Sequence, residues 1–316
     1  MDHFVGVDIS KLTFDAEWLE EGQRRHQQFD NNESGCIDFI AKISSEAHVT
    51  MEATGTYYLT LATFLYENEI KVSVVNPVQT RYFAQMQLKR AKTDPVDAGI
   101  CRTFGASYQP SLWVPPSKVI SELKQLDSYL QGLVQERTRV LNRLEAIHQR
   151  PDICQYVLMD LESNLKGIGE RIKACEDLIA DSIQAHYARQ YELLVSVKGI
   201  GPRIATMLIV LTEGFLRFTD AKKFSSFIGL STFIRQSGTS LSTSSITKMG
   251  QSRLRHLLYM GSMPAMRWNR GCKEFSTRLL ANGKPYKVVR IAVANKLIRQ
   301  AFAVINKGEK YSAEYT

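Results

Sequence analysis

The hydrophobic pattern of this chain changes period near Ser117, and that change limits the possible folds more than any overall composition does. Before it, His3–Ile9, Thr13–Leu19 and Gln23–Phe29 are short runs separated by polar turns, which predicts a meander of three strands. Cys36, Ile37, Phe39, Ile40 and Ile43 then recur at helical spacing, Val49–Met51 reads as a strand, Tyr57–Tyr66 as a helix, and Val72–Val75 as a strand ending at Asn76–Pro77. The order β-β-β-α-β-α-β-α predicts a mixed sheet covered by helices, with the carboxyl ends of its strands available for a site.

Beyond Ser117 the segments are long, charged and helical. Leu123, Leu126, Leu130, Leu133, Val134, Val140, Leu141 and Leu144 form an apolar stripe, broken near Arg150–Pro151 and resumed over Val157–Ile183. Two antiparallel helices follow, and their stripe serves either a coiled-coil dimerisation arm or a hairpin within one chain. Leu193–Val197 then leads through Lys198-Gly199-Ile200-Gly201-Pro202-Arg203 to the apolar helix Ile204–Leu211, with Pro202 well placed in a first helical turn. That pattern predicts a helix-hairpin-helix. The chain thus reads as an α/β domain over 1–110, a helical connector over 111–190 and an all-α basic domain over 191–316.

Charge separates the same regions. Residues 1–110 carry 10 basic and 15 acidic side chains, 111–190 carry 10 and 11, and 191–316 carry 20 and 6, so the last third alone is net +14. Between Arg235 and Arg299 there are 13 Lys or Arg and a single acid, Glu274. A solvated helix face normally interleaves Glu; this one does not, which points to a polyanion such as nucleic acid. Trp268 and Tyr259 could stack on bases, although their helical spacing favours core packing. The five cysteines form no CxxC pair and the six histidines do not sit at zinc-ligand spacing, which argues against a disulfide framework or zinc module. With no leader pattern and no apolar run near the ~18 residues of a membrane span, the expectation is a soluble protein of a reducing, cytoplasmic compartment without a membrane partner.

Four carboxylates stand at element ends. Asp8 follows the apolar run Phe4–Val7, Glu52 ends Val49-Thr50-Met51 ahead of a capping segment Ala53–Thr56, and Asp94 and Asp97 lie three residues apart around Pro95 at a helix start. Singly, each reads as a cap or turn residue. Brought together, bare carboxylates repel and raise one another's pKa, so such a cluster calls for a hard cation with oxygen ligands, Mg2+ first and Mn2+ as a substitute. Two ions about 3.5–4 Å apart clamp the attacking and leaving oxygens of a phosphodiester in nucleases and polymerases.

The runs Gly6-Val7-Asp8-Ile9-Ser10-Lys11, Met51-Glu52-Ala53-Thr54-Gly55-Thr56-Tyr57, Asn76-Pro77 and Lys92-Thr93-Asp94-Pro95-Val96-Asp97-Ala98 resemble the DEDD domain of the one-ten group of insertion-sequence transposases, which includes Piv-type DNA invertases. The resemblance implies a RuvC-like N-terminal domain of RNase H fold with Asp8, Glu52, Asp94 and Asp97 as catalytic metal ligands. It continues through Gly199-Ile200-Gly201-Pro202, Phe224–Leu230, Gln236-Ser237-Gly238-Thr239-Ser240, Lys248-Met249-Gly250 and Arg253–Tyr259, which look like the family's C-terminal transposase domain, and there its nucleophilic serine maps onto Ser237. On the residues alone, Ser237–Thr247 is a flexible polar loop with several hydroxyls, and no His or acid near Ser237 in sequence activates it. A distant carboxylate–metal site would supply that activation.

The resemblance therefore implies an RNA-guided DNA recombinase or transposase, working by transesterification through a serine–DNA intermediate on donor and target DNA. A structured noncoding guide RNA is the implied partner, a homodimer or homotetramer the implied assembly, and the bacterial cytoplasm, at the nucleoid, the implied location. Lys198, Gly199, Gly201, Arg203, Arg235, Lys248, Arg253 and Arg255 are the candidate nucleic-acid contacts. The alternatives are a Piv-like invertase at fixed sites, a RuvC-like structure-selective nuclease using water, and a nucleic-acid-binding protein with a vestigial acidic site.

Overall fold

The computed structural model describes residues 3–87, 94–235, 243–247 and 250–312, apart from the side chains of Asp94, 232–235 and 243–244. Two compact units, Met1–Pro115 and Pro116–Thr316, divide the chain.

In the first unit the predicted meander is present as β1 (Phe4–Ile9), β2 (Thr13–Glu20) and β3 (Gln23–Asp30), followed by α1 (Glu33–Ile40), β4 (His48–Glu52), α2 (Tyr58–Glu67), β5 (Lys71–Val75), α3 (Pro77–Met86) and α4 (Asp94–Tyr108). The sheet order is β3-β2-β1-β4-β5, antiparallel within the meander and parallel from β1 through β4 to β5. Asn32 caps α1 through the Gly35 N–H (2.9 Å) and Asn76 caps α3 through the Val78 N–H (2.9 Å), with Pro77 as its first residue. The cap expected in Ala53–Thr56 is not made: Tyr57 is the N-cap without a side-chain bond, and the turn closes by the Tyr57 N–H on the Thr54 carbonyl at 3.3 Å.

Alternation gives this sheet two unlike faces. Val5, Val7, Ile9, Phe14, Ala16, Trp18, Val49 and Met51 bury together with Cys36 and Phe39 of α1 and Leu61, Ala62 and Leu65 of α2. The intervening residues Gly6, Asp8, Asp15, Glu17, Thr50 and Glu52 share the opposite face, and α4 lies there. A smaller core of Val75, Phe83, Ile100 and Phe104 holds α3 and α4 to that side.

The second unit runs α5 (Lys118–His148), α6 (Gln155–Ser196), α7 (Pro202–Thr212), α8 (Ala221–Phe227), β6 (Thr232–Arg235), β7 (Thr243–Ile246), α9 (Ser252–Trp268), α10 (Arg270–Ala281) and α11 (Tyr286–Lys307). The stripe of α5 buries against Leu161, Ile168, Ile172, Ile179 and Ile183 of α6, and the Cys175 thiol reaches the Leu126 carbonyl at 3.4 Å. The helices pack as a hairpin within the chain. The same core continues without a break into Leu208 and Ile209 of α7 and Val293, Leu297 and Ile298 of α11. Residues 116–190 and 191–316 therefore fold as one body because one core runs through both, although α6 is kinked at Tyr187 (φ −136°, ψ 22°), close to the expected boundary. Part of the predicted polar loop is a strand, with Arg235↔Thr243 and Thr232↔Ile246 paired antiparallel. Serine-rich composition hid the β-branched Thr243 and Ile246. Among the described residues, no helix is long and apolar enough to cross a membrane.

Candidate active site

Val7 pairs with Met51 in the parallel register of β1 and β4, so the next residues, Asp8 and Glu52, stand side by side at the carboxyl ends of adjacent strands. Asp15 faces Asp8 across the antiparallel β1–β2 pair and extends the acidic row by one strand.

The third expected ligand arrives on α4. Where this helix crosses β1 the strand carries Gly6, and a Cβ there would overlap the Ala98 carbonyl oxygen and the Arg102 amide nitrogen. A Cβ at Gly99 would come 2.8 Å from Glu17 Oε2, and one at Gly105 would overlap the Thr50 hydroxyl. Glycines on both elements thus let α4 lie directly on the sheet, which carries Asp97, the neighbour of Ala98, to the ends of β1 and β4. The buried Cys101 thiol, one helical turn on, senses all three carboxylates: burial pushes its pKa well above the usual thiol value, and Glu52, Asp8 and Asp97 push it further. A hydrogen bond with the Glu52 backbone pulls it back in part. Asp94 begins α4 three residues earlier, and its side chain lies outside the described residues.

Glu52 is fixed from α3. The buried Thr80 hydroxyl donates to Glu52 Oε1 at 2.5 Å, which holds one carboxylate oxygen and leaves the other for a ligand. Nearby, Arg102 Nε donates to Glu17 Oε1 at 2.9 Å with both side chains almost fully buried. Asp15 accepts from His26 Nε2 (2.9 Å) and Gln28 Nε2 (3.0 Å). Asp8, Glu52, Asp94 and Asp97 offer oxygen alone, a donor set suited to magnesium or manganese. Among the described residues, which leave out the Asp94 carboxylate, no group of three or more His, Cys, Asp or Glu is arranged to hold a metal ion. Sequence reasoning missed Thr80, Cys101, Asp15 and the Glu17–Arg102 pair. Alternation along β2 puts Asp15 and Glu17 on the Asp8 face, and Cys101 sits four residues after Asp97; Thr80 carries no such signal.

In the second unit the expected nucleic-acid contacts meet different fates. Lys198 is exposed, and its carbonyl accepts from Asn269 Nδ2 at 3.1 Å. Gly199 has φ +107°, and a Cβ there would stand 2.6 Å from Ala265 Cβ, so both the turn and its packing on α9 demand glycine. Gly201 is the N-cap of α7. Arg203 bonds to Glu176, Arg253 bonds to the Asp127 carboxylate, and Arg255 donates to the Ile228 carbonyl at 2.7 Å. Burial raises the pKa of Asp127, and Arg253 opposes that shift. Asp127, Glu176, Asp177 and Asp181 line a cavity of about 1060 Å³ over the Lys198–Arg203 turn together with Lys198, Arg203 and Arg253, and two of these carboxylates are already paired with the arginines. Arg235 closes β6, with its side chain outside the described residues; Ser237 and Lys248 lie wholly outside them. Tyr259 is half-buried under the Arg290 guanidinium, 3.5 Å from the ring centroid. Trp268 departs from the expected core packing: as the last residue of α9 it is 74% exposed.

A family model described as a transposase, of the DEDD type in the IS110 group, matches residues 5–150 and so spans all four acidic candidates. A second, described as the transposase IS116/IS110/IS902 family, matches residues 191–277 and spans Ser237. The pilin gene-inverting protein of Moraxella lacunata is 30% identical over 328 residues, covering 98% of this chain and 97% of the relative. Its Moraxella bovis counterpart gives the same identity and coverage. With both candidate segments matched and the likeness running nearly end to end, the chain belongs to the IS110 family of transposases and is a DNA recombinase enzyme related to the pilin gene inverters.

Proposed function

We propose that this chain is an RNA-guided recombinase of an insertion sequence, which cuts and rejoins DNA by magnesium-dependent transesterification through a bond between Ser237 and a DNA end. The observation that carries this reading is the side-by-side placement of Asp8 and Glu52 at the ends of β1 and β4, with α4, the helix of Asp97, laid on the same sheet face at Gly6. The strand order β3-β2-β1-β4-β5 supports a RuvC-like, RNase H reading of the first unit. Gly199, Gly201 and Pro202 between α6 and α7 support a helix-hairpin-helix reading in the second.

Asp8, Glu52, Asp94 and Asp97 would hold the cation, with Thr80 fixing the Glu52 carboxylate by one oxygen. Magnesium, when bound, neutralises charge on the scissile phosphate and lowers the cost of forming a serine alkoxide. Ser237 Oγ loses its proton and bonds to phosphorus while the phosphorus–oxygen bond to the departing strand breaks, and that oxygen takes up a proton. A hydroxyl of the second strand then attacks the phosphoserine and restores the serine. One phosphodiester forms for each one broken, so no energy cofactor is consumed. Cutting and rejoining two duplexes calls for several active sites, hence a dimer or tetramer at the bacterial nucleoid. Base pairing by a noncoding RNA would select the donor and target DNA, leaving the protein to grip backbone.

The experiment is incubation with a nicked suicide DNA duplex and magnesium. A covalent protein–DNA adduct that disappears in Ser237→Ala and in Asp8→Asn supports recombination. Free cleaved ends favour a structure-selective nuclease, and intact bound DNA favours a binding protein. The Moraxella relatives give a second reading, an invertase acting at fixed sites. Sequencing of copurified RNA separates it from the guided reading.

A further inference from the structure

We propose that the groove along α11 is a binding site for an unpaired DNA strand. The groove, of about 920 Å³, lies between α10 and α11 and is closed by Leu230 and by Ser245 and Ile246 of β7. Arg278, Lys287, Lys296, Arg299 and Lys307 line it, and among the described residues no Asp or Glu does. Four of these come from α11, where the lining winds around the helix through Lys287, Ile291, Asn295, Arg299, Ala303 and Lys307, and from Lys287 to Lys307 the helix rises roughly 30 Å, enough to follow several phosphates.

These cations differ from the ones the sequence motifs single out. Arg203 and Arg253 are held by carboxylates, and Arg290 is buried against Ser262 and Tyr259. Arg278, Lys287 and Arg299 are exposed, and among the described residues none has a carboxylate within ion-pair distance. The floor is apolar, built from Ile246, Ile291, Ala292, Ala303 and Val304, and Phe275 stands at the wall with Arg278 and Lys296 over its ring at 5.6 and 5.3 Å. A duplex presents phosphates and keeps its base faces stacked inside, so an apolar floor gains nothing from it. An unpaired strand offers both parts, phosphates to the cationic rim and base faces to the floor.

The choice of DNA rests on the nucleophile reading, since β7 resumes the chain six residues after Ser237 and places a groove wall next in sequence to the proposed cut. The test is fluorescence anisotropy of the full chain in chelator, with a labelled single strand of about 12 nucleotides, its duplex, and RNA of the same sequence. Arg278→Ala/Lys287→Ala/Arg299→Ala removes charge, and Ala303→Trp fills the floor with charge kept. Both variants are expected to weaken the DNA strand about ten-fold while duplex binding holds within about two-fold, and the triple variant to lower the salt slope by about 2. No loss, an equal loss on duplex, or a loss confined to RNA would overturn the proposal. No bond is cut in chelator, so failure here is distinct from failure of the Ser237 reading, which shows as a missing adduct.

Discussion

Replacing Arg102 by Met should destabilise the first unit more than replacing Arg102 and Glu17 together by apolar residues. Arg102 Nε lies 2.9 Å from Glu17 Oε1, and the side chains are 9% and 11% exposed, so the pair is held out of water. Arg102→Met leaves a buried carboxylate with no cation, a cost of about 3–5 kcal/mol. Arg102→Met/Glu17→Leu leaves no buried charge and should fall near neutral, which gives a coupling of at least about 2 kcal/mol between the positions. Because the pair ties α4 to β2, the single variant should also loosen the helix that carries Asp97 and admit a thiol reagent to Cys101. Urea unfolding followed by Trp18 and Trp113 fluorescence reads the stability, in a Trp268→Phe background that removes the exposed third tryptophan. Single and double variants of equal stability, or a single-variant loss under about 1 kcal/mol, would refute a desolvated pair.

Three further changes test the site and its frame. Thr80→Val removes the donor to Glu52 Oε1, a charge-assisted bond worth about 1.5–3 kcal/mol, so thermal stabilisation by manganese should need about ten-fold more metal, and Thr80→Ser should restore it; equal responses of Val and Ser would contradict a positioning role. Gly6→Ala should cost about 1–3 kcal/mol in thermal unfolding, because the new methyl meets backbone of α4, whereas Gly132→Ala in α5, with open space around it, should gain up to about 1 kcal/mol. His48, hydrogen-bonded to Ser73 at 2.7 Å, has its pKa lowered by burial first and then by Lys71 and His3. Its unfolded form takes a proton that the folded form refuses, so its contribution is fully present above pH ~6.5 and is lost as pH falls toward the folded value. Urea midpoints should therefore drop below that pH in the wild type and drop less in His48→Gln; equal profiles would contradict this.

The strands and helices of the first unit are legible because their apolar residues keep clean periods, two in β1 and β2 and nearly four in α1 and α2. Asp8 and Glu52 stand out because each ends an apolar strand. Neither feature shows how the chain pays out its charges in three dimensions. Glu17 and Arg102 are 85 residues apart, Arg203 and Glu176 are 27, and Arg253 and Asp127 are 126, so a count of cations cannot tell which are already held. The β6–β7 pair escaped because its strands are four residues each and β7 carries two serines, and the boundary expected near 190 is absent because a change of charge is not a change of core.

The most direct measurement is mass-spectrometric identification of the residue that carries DNA after trapping with the suicide duplex. Covalent linkage at Ser237, dependent on Asp8, Glu52, Asp94 and Asp97, is the expected result. A nucleotide attached to another hydroxyl of the 239–245 stretch, or strand cleavage with no protein-linked nucleotide at all, would contradict it.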